Sequence, residues 1–403
     1  MSSLKLKNIG SLISHDTSQN KVILYKKIEI AIENGKITEI GKKLGPCDSM
    51  IDCKSNIVTP GFVDPHTHPV FVNRRNDEFI RRIAGDSYEQ ISLDGGGIIN
   101  NIQELRAIEE NILFDIVKKR MDTFLEMGTT TIEAKSGYGL DTDSELKSLS
   151  VLKKVSDTHI IDIIPTFMGA HTFPNEFLDN KDGYVELICD EMIPAVSDQG
   201  IAVFNDVFCE EGYFSPSQAK KILNVGKKYG LLPRLHADEF SHSNAAELAA
   251  EVGAVSADHL MAVSDEGITK LAENNVIGIL LPGTTFSLGK TNYAPFTTMR
   301  EKGVEIALAT DFNPGSCFVK SMPFIMALSC IFMKVSIFEA LKACTFTAAK
   351  SLGLDEKIGS IEQGKNADIL IWNFNDINLI PSHFLPNPIS KVIKNGKLIL
   401  QLD

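Results

Sequence analysis

Residues 64–68 read Asp-Pro-His-Thr-His at the close of an apolar run, within TPGFVDPHTHPVF (59–71). Alternate side chains of an extended strand share a face, so His66 and His68 would present two imidazoles side by side. Two neutral imidazoles at the mouth of a buried strand suit a divalent metal, provided that further ligands arrive from elsewhere in the chain. Other apolar runs also end in residues able to do chemistry. Glu133, Lys135 and Tyr138 follow TTTI, and His171 follows IIDIIPTFMGA. His236, Asp238 and Glu239 close LLPRLHADE, His259 closes AVSADH, and Asp311 and Asn313 close EIALATDFN. Five of the nine histidines stand at such ends, which a scatter of structural histidines would not produce. Taken singly, each has a duller reading: a strand-end histidine bonded to a carbonyl, Asp311 as a turn cap, Glu239 as a solvated carboxylate. His15, His159, His242 and His383 keep that reading.

The four residues His66, His68, His236 and Asp311 would make a site of imidazoles and one carboxylate with a position left for water, suited to zinc or iron. A bound divalent ion lowers the pKa of water from 15.7 toward about 7 and makes hydroxide available at neutral pH. His259 would hydrogen-bond the nucleophile or a polarised carbonyl oxygen, and Asp311 could take a proton and pass it to a leaving nitrogen. The run IAVFNDVFCEEGYF contains no lysine that could be carboxylated to bridge a second ion, so one metal ion per subunit is expected.

The elements that must position these residues can be read from periodicity. Eight short β-branched runs (NIVTPGFVD, TTTIEAKS, IIDIIPTFMG, IAVFNDVF, LLPRLHA, AVSADHL, VIGILLP and EIALATD) alternate with amphipathic helical segments such as DSELKSLSVLKKVSD and SPSQAKKILNVGKKYG. Strands without a polar face, separated by helices, predict a parallel sheet covered on both sides. Eight such units predict an α/β fold, a closed (β/α)8 barrel, whose strand ends would converge on the catalytic face. A doubly wound open sheet is the alternative. The chain ends differ from this middle. KIEIAIENGKITEIG and ISKVIKNGKLILQL alternate around Asn34-Gly35 and Asn395-Gly396, which predicts hairpins. GSIEQGKNADILIWNF adds a further expected strand pair. Residues 1–58 and 355–403 are therefore expected to form one small composite β domain around a barrel spanning 59–354.

Composition narrows the function classes. The 403 residues carry a net charge of −12 and no lysine- or arginine-rich block, which speaks against nucleic acid or an anionic membrane as partner. MPFIMALSCIFMKVSIF is interrupted by Pro323 and Lys334 and reads as buried helix, not as a membrane span. The seven scattered cysteines read as reduced thiols of a cytoplasmic protein. DGGGIIN (94–100) lacks the Lys-Ser/Thr of a phosphate loop and reads as a flexible loop entering a helix, a candidate lid.

VDPHTH, a histidine after the fifth and sixth strands and an aspartate after the eighth together resemble the amidohydrolase superfamily. Within it, PGFVDPHTHPVF, EAKSGYGL, TFMGAHTFP, RLHADEF, SADHL and ATDFNPGS are similar to the imidazolonepropionase family over essentially the whole chain. The resemblance implies metal ligation by His66, His68, His236 and Asp311, with Zn2+ or Fe2+/Fe3+ as the ion. It implies catalytic roles for His259, Asp311 and Glu239, and substrate contacts from Arg75, Tyr88, Tyr138, His171, Glu239, Asn313, Gly315 and Ser316. It further implies a composite β-sandwich for the small domain built from both chain ends, hydrolytic ring opening of 4-imidazolone-5-propanoate to N-formimidoyl-L-glutamate in histidine degradation, and a homodimer. The substrate's carboxylate tail would need a cation and donors, and its ring N–H an acceptor such as Glu239. Arg74 competes with Arg75 for the cationic role, and Arg75 could merely pair with Asp77 or Glu78. Two other readings are an aminohydrolase of a purine or pyrimidine base and a non-catalytic scaffold that has lost its metal.

Overall fold

The computed structural model describes residues 3–86, 90–91 and 94–401. The chain begins with β1 (Ser3–Asp16), β2 (Lys21–Glu33), β3 (Lys36–Gly41), β4 (Ser49–Asp52) and β5 (Ile57–Pro60). It then runs through β6 (Phe62–Asp64), β7 (Thr129–Lys135), β8 (Asp162–Ala170), β9 (Phe204–Cys209), β10 (Leu232–Ala237), β11 (Ser256–His259), β12 (Ile277–Leu280) and β13 (Ile306–Leu308). It returns as β14 (Ile369–Trp372), β15 (Ile389–Lys394) and β16 (Lys397–Gln401).

Strands β6 to β13 pair in sequence order, all in parallel, as βα units with right-handed crossovers require. The first and last strands meet just beyond their ends: Thr67 bridges Phe312, the His68 amide donates to the Phe312 carbonyl at 2.8 Å, and the Asp311 amide donates to the His66 carbonyl at 3.1 Å. Below these, Asp64 accepts from the Thr310 amide at 3.1 Å and its hydroxyl at 2.6 Å. The sheet is therefore a barrel and not an open doubly wound layer. Every residue of β7 and β9 is buried, which is why those runs show no alternation in sequence.

Strands from both chain ends form the second sheet, in the order β16-β15-β14-β5-β1-β2-β3 with β4 on β1. Both Asn-Gly turns adopt positive φ at the two central residues (49° and 81° at Asn34-Gly35, 48° and 72° at Asn395-Gly396), the geometry that twists with a hairpin. Two details depart from the periodicity. The run over 56–64 is two strands: β5 pairs with β1 and β14, β6 pairs with β7, and the break falls at Gly61. A Cβ there would lie 2.4 Å from the Thr130 hydroxyl, so the close passage from one sheet to the other demands glycine. The strand pair expected over 359–374 is only β14, because residues 359–366 turn back to make a single bridge between Lys36 and Asn366.

Helices cover the barrel. Asp141 caps Thr142–Thr158 by accepting from the Ser144 amide, and Ser215 and Gln218 form a reciprocal capping box on Pro216–Lys228. The apolar run near 322–338 folds as two helices, Met322–Phe332 and Ile337–Ala343, parted at Lys334 with φ 59°. Among the described residues no helix is long and apolar enough to cross a membrane. All seven cysteines are free thiols.

Candidate metal and catalytic site

The carboxyl ends of the barrel strands bring the sequence candidates to one place. Nε2 of His68 lies 3.2 Å from Nε2 of His66 and 3.2 Å from Nε2 of His236. Asp311 Oδ1 stands 3.5 Å from the Nε2 atoms of both His66 and His68. The four donor atoms thus face one another in a buried space.

Hydrogen bonds on the far side of two rings set which nitrogen faces inward. Nδ1 of His66 is 2.6 Å from Asp258 Oδ2, and Nδ1 of His236 is 3.1 Å from Asp206 Oδ1. Donation from Nδ1–H to these carboxylates leaves the Nε2 lone pairs of His66 and His236 facing inward toward His68, an arrangement suited to a cation. Metal–nitrogen bonds of 2.0–2.1 Å in a tetrahedral site put neighbouring donors roughly 3.3 Å apart, close to the observed separations. Burial holds His66 and His68 well below the ordinary imidazole range, with Lys135 adding to the effect at His66 and His171 at His68, so both are neutral donors. These residues fit a divalent ion.

The surroundings fix the ligand-bearing backbone. The amide of Thr67, between the two histidines, donates to Glu133 Oε2 at 3.1 Å, and its hydroxyl donates to the Glu133 carbonyl at 2.6 Å. Asp311 Oδ2 accepts from the Thr284 hydroxyl at 2.5 Å; burial pushes the Asp311 carboxyl up to about 6 against that bond. Burial pushes Asp258 up to about 6 as well, against the pull of Arg234. Burial alone would raise the Asp206 carboxyl, but Lys135 and then His236 hold it well below the usual carboxylate range. Asp238, His259, Leu260 and Asp311, at strand ends beside the site, all have positive φ (49°, 78°, 60° and 52°), a backbone that non-glycine residues adopt at a cost.

Above the histidines a cavity is lined by Arg75, Tyr138, His171, Glu239, His259, Asp311, Asn313 and Ser316, among others. Neither ring nitrogen of buried His259 has a hydrogen-bond partner among the described residues; Glu239 Oε1 lies 3.6 Å from its Nδ1. His171 donates from Nδ1 to the Gly137 carbonyl at 2.8 Å, which leaves Nε2 as its other polar atom. Arg75 is buried and pairs with buried Glu78 at 3.3 Å, so the ion pair and the cavity position hold together. Arg74 is exposed and its guanidinium lies over Phe318, away from the cavity lining. Asn313 organises its own turn: Oδ1 accepts from the amides of Gly315 (2.9 Å) and Ser316 (2.7 Å), and Nδ2 donates to Ser316 Oγ at 2.7 Å. Gly315 serves as a platform, since a Cβ on it would fall 1.6 Å from an Arg75 guanidinium nitrogen. Tyr88 lies outside the described residues.

Sequence reasoning gave no role to Asp206, Asp258, Arg234 or Thr284, and it left Glu133 and Lys135 as unassigned strand-end residues. Asp206 and Asp258 carry a visible signal, being acidic residues inside fully buried strands. Their partners lie in distant parts of the chain, so the pairing emerges only from the fold.

The barrel with a histidine-rich, metal-fitting mouth defines an amidohydrolase, and the model of the amidohydrolase family matches residues 57–399. Solved structures share the fold at low identity. An adenosine deaminase from Xanthomonas campestris with bound zinc superposes with a TM-score of 0.75 at 18% identity, covering 99% of this chain and 93% of that one. Atrazine chlorohydrolase from Arthrobacter aurescens, complexed with zinc, gives 0.72 at 16%, covering 99% and 95%. Curated relatives are far more similar in sequence. The imidazolonepropionase of Geobacillus thermodenitrificans is 44% identical, over 94% of this chain and 92% of its own. Those of Alkaliphilus metalliredigens (43%; 92% and 90%) and Clostridium tetani (43%; 94% and 92%) match almost as fully. The chain belongs to the imidazolonepropionase family.

Proposed function

We propose that this chain hydrolyses 4-imidazolone-5-propanoate to N-formimidoyl-L-glutamate, the ring-opening step of histidine degradation. The observation that carries the reading is the convergence of His66, His68, His236 and Asp311 beneath a cavity that also holds buried Arg75. These four residues hold one divalent ion, and three imidazoles with a carboxylate suit zinc or iron as Zn2+ or Fe2+/Fe3+. Bound there, the ion supplies Lewis acidity, lowering the pKa of water toward about 7 and polarising a carbonyl oxygen.

The chain's own residues do the rest. Arg75, with Tyr138 and His171 on the same wall, receives the propanoate carboxylate by charge-assisted hydrogen bonds. Glu239 accepts the ring N–H. His259 is kept neutral by burial, with His236 reinforcing the shift, and its unpartnered ring nitrogens are available to the ring carbonyl and to water. Asp311 Oδ1 faces the reacting centre while Thr284 holds Oδ2, so Asp311 can take a proton from the attacking water and return it to the leaving ring nitrogen. Glu133, Asp206 and Asp258 hold the ligands and stay out of the chemistry. A homodimer in the cytoplasm accompanies this reading, on the strength of the family resemblance and the free thiols.

Arg75→Met should raise KM while leaving kcat nearly unchanged, because the carboxylate contact exists in both the ground and the transition state. A desolvated ion-paired contact of this kind is worth about 2–5 kcal/mol. Gly315→Ala should give the same signature by displacing the guanidinium from its platform. Steady-state kinetics checks both, and a wild-type KM in Arg75→Met would remove Arg75 from the site. The function itself is tested by following loss of ring absorbance from fresh imidazolone propanoate, with and without a chelator. Consumption should depend on the metal, and no consumption by the metal-loaded protein would refute the assignment.

A further inference from the structure

Beneath the three histidines lies a lysine that the proposed chemistry does not use. Lys135, on β7, is fully buried, and so are its two partners: Nζ is 2.7 Å from Glu133 Oε1 and 2.8 Å from Asp206 Oδ2. The first contact is an aligned hydrogen bond, and the second is an ion pair outside hydrogen-bond geometry. Burial of the ammonium disfavours its charge, but Asp206 and Glu133 outweigh that and keep it protonated. Each carboxylate then reaches the ligand set. Asp206 Oδ1 is 3.1 Å from Nδ1 of His236, and Glu133 Oε2 accepts from the amide of Thr67, the residue between His66 and His68. Glu133 Oε1 also accepts from the Thr166 hydroxyl on β8.

A barrel floor needs only apolar side chains to pack, and burying three ionised groups is worthwhile for stability only if their geometry is fully satisfied. The second histidine arm is built differently. Asp258, which holds His66, has Arg234 at 3.7 Å, and that arginine donates to the Pro65 carbonyl at 2.9 Å. Nδ1 of His68 has no partner among the described residues. Among the described residues, Lys135 is therefore the buried cation in contact with carboxylates that lead to both ends of the ligand cluster.

We propose that Lys135 is a positioning residue of the metal site: its ammonium fixes the Asp206 and Glu133 carboxylates, and through them the His236 imidazole and the His66-Thr67-His68 turn. This rests on reading the three histidines and Asp311 as the ligand set. Lys135 touches neither ion nor substrate, so its effect is read in metal affinity and not in chemistry.

Zinc affinity of the purified full chain, measured by competition with a chromophoric chelator, tests the proposal in Lys135→Met, Asp206→Asn and the double variant. Loss of an outer-shell partner weakens metal binding about 10–100-fold, and Lys135→Met should fall in that range. The double variant should lose less than the two single losses combined, since Lys135 acts in part through Asp206. Zinc affinity within about twofold of wild type in folded Lys135→Met, with only the melting temperature of the metal-free protein lowered, would make the lysine structural and overturn the proposal. Fully independent losses in the double variant would also overturn it. Should Lys135→Met fail to fold, Glu133→Gln/Lys135→Met removes one charge of each sign and leaves Asp206 without its cation. That variant should show the same order of loss, and wild-type affinity in it would again overturn the proposal. The titration uses zinc alone, so a chain that opened no imidazolone ring would leave the result standing. A wild-type chain that takes up no zinc would defeat both this inference and the metal reading beneath it.

Discussion

His66→Ala, and separately Asp311→Ala, should abolish metal binding and activity together while the protein stays folded. Each removes one of four donor atoms that face a common centre, so the loss should exceed the roughly 10–100-fold expected of an outer-shell residue. Folding should survive because the large core cluster is built from apolar residues along the strands and covering helices, away from these side chains. Elemental analysis of wild type should find about one ion per chain, since the donor atoms of His66, His68, His236 and Asp311 lie around a single centre. Two tightly held ions, or a His66→Ala protein retaining its metal, would require a different ligand set.

His259→Ala should behave in the opposite way, keeping the metal and losing turnover. A positioned acid–base or hydrogen-bonding histidine contributes about 10²–10⁴-fold to rate, and that range is the expected fall in kcat. The distinction matters because His259 ring nitrogens also lie within reach of those of His66 and His236, so geometry alone would allow it as a ligand. The inward Nε2 atoms of His66, His68 and His236 with Asp311 are the more convergent set, and His259 instead lines the cavity beside Glu239. Metal analysis of His259→Ala beside its kinetics separates the two roles: metal lost with activity would make it a ligand.

Much of this was legible in the sequence because strand-end chemistry and barrel topology reinforce one another. Eight apolar runs, six of them ending in residues able to do chemistry, predict both the parallel barrel and the face on which those residues meet. The Asn-Gly hairpins were legible for a local reason, the demand for positive φ at both turn residues. What escaped was set by contacts distant in sequence. The break at Gly61 depends on Thr130 coming within contact distance, and residues 359–366 look like a strand until the bridge from Lys36 uses them as a turn. The supports of the ligands escaped for the same reason: Asp258 meets His66 across 192 residues, so its partner emerges only from the fold. The choice between Arg74 and Arg75 needed the fold, which buries Arg75 against Gly315 in the cavity lining and leaves Arg74 exposed over Phe318.

Ring opening and deamination begin alike, with activated water attacking an sp2 carbon next to nitrogen, and they differ in what leaves. A deaminase expels an exocyclic amine as ammonia and keeps its ring. Opening an imidazolone breaks an endocyclic C–N bond, and the nitrogen stays in the formimino group. Buried Arg75, Tyr138 and His171 line the same cavity, and in the proposed reading they receive a carboxylate tail, which nucleobases lack. The most direct measurement is therefore ammonia release recorded alongside ring absorbance, with imidazolone propanoate and, in parallel, guanine, cytosine and adenine. The expected result is metal-dependent loss of the imidazolone ring without stoichiometric ammonia and no turnover of the bases. Ammonia released from any of those bases at comparable efficiency would contradict it.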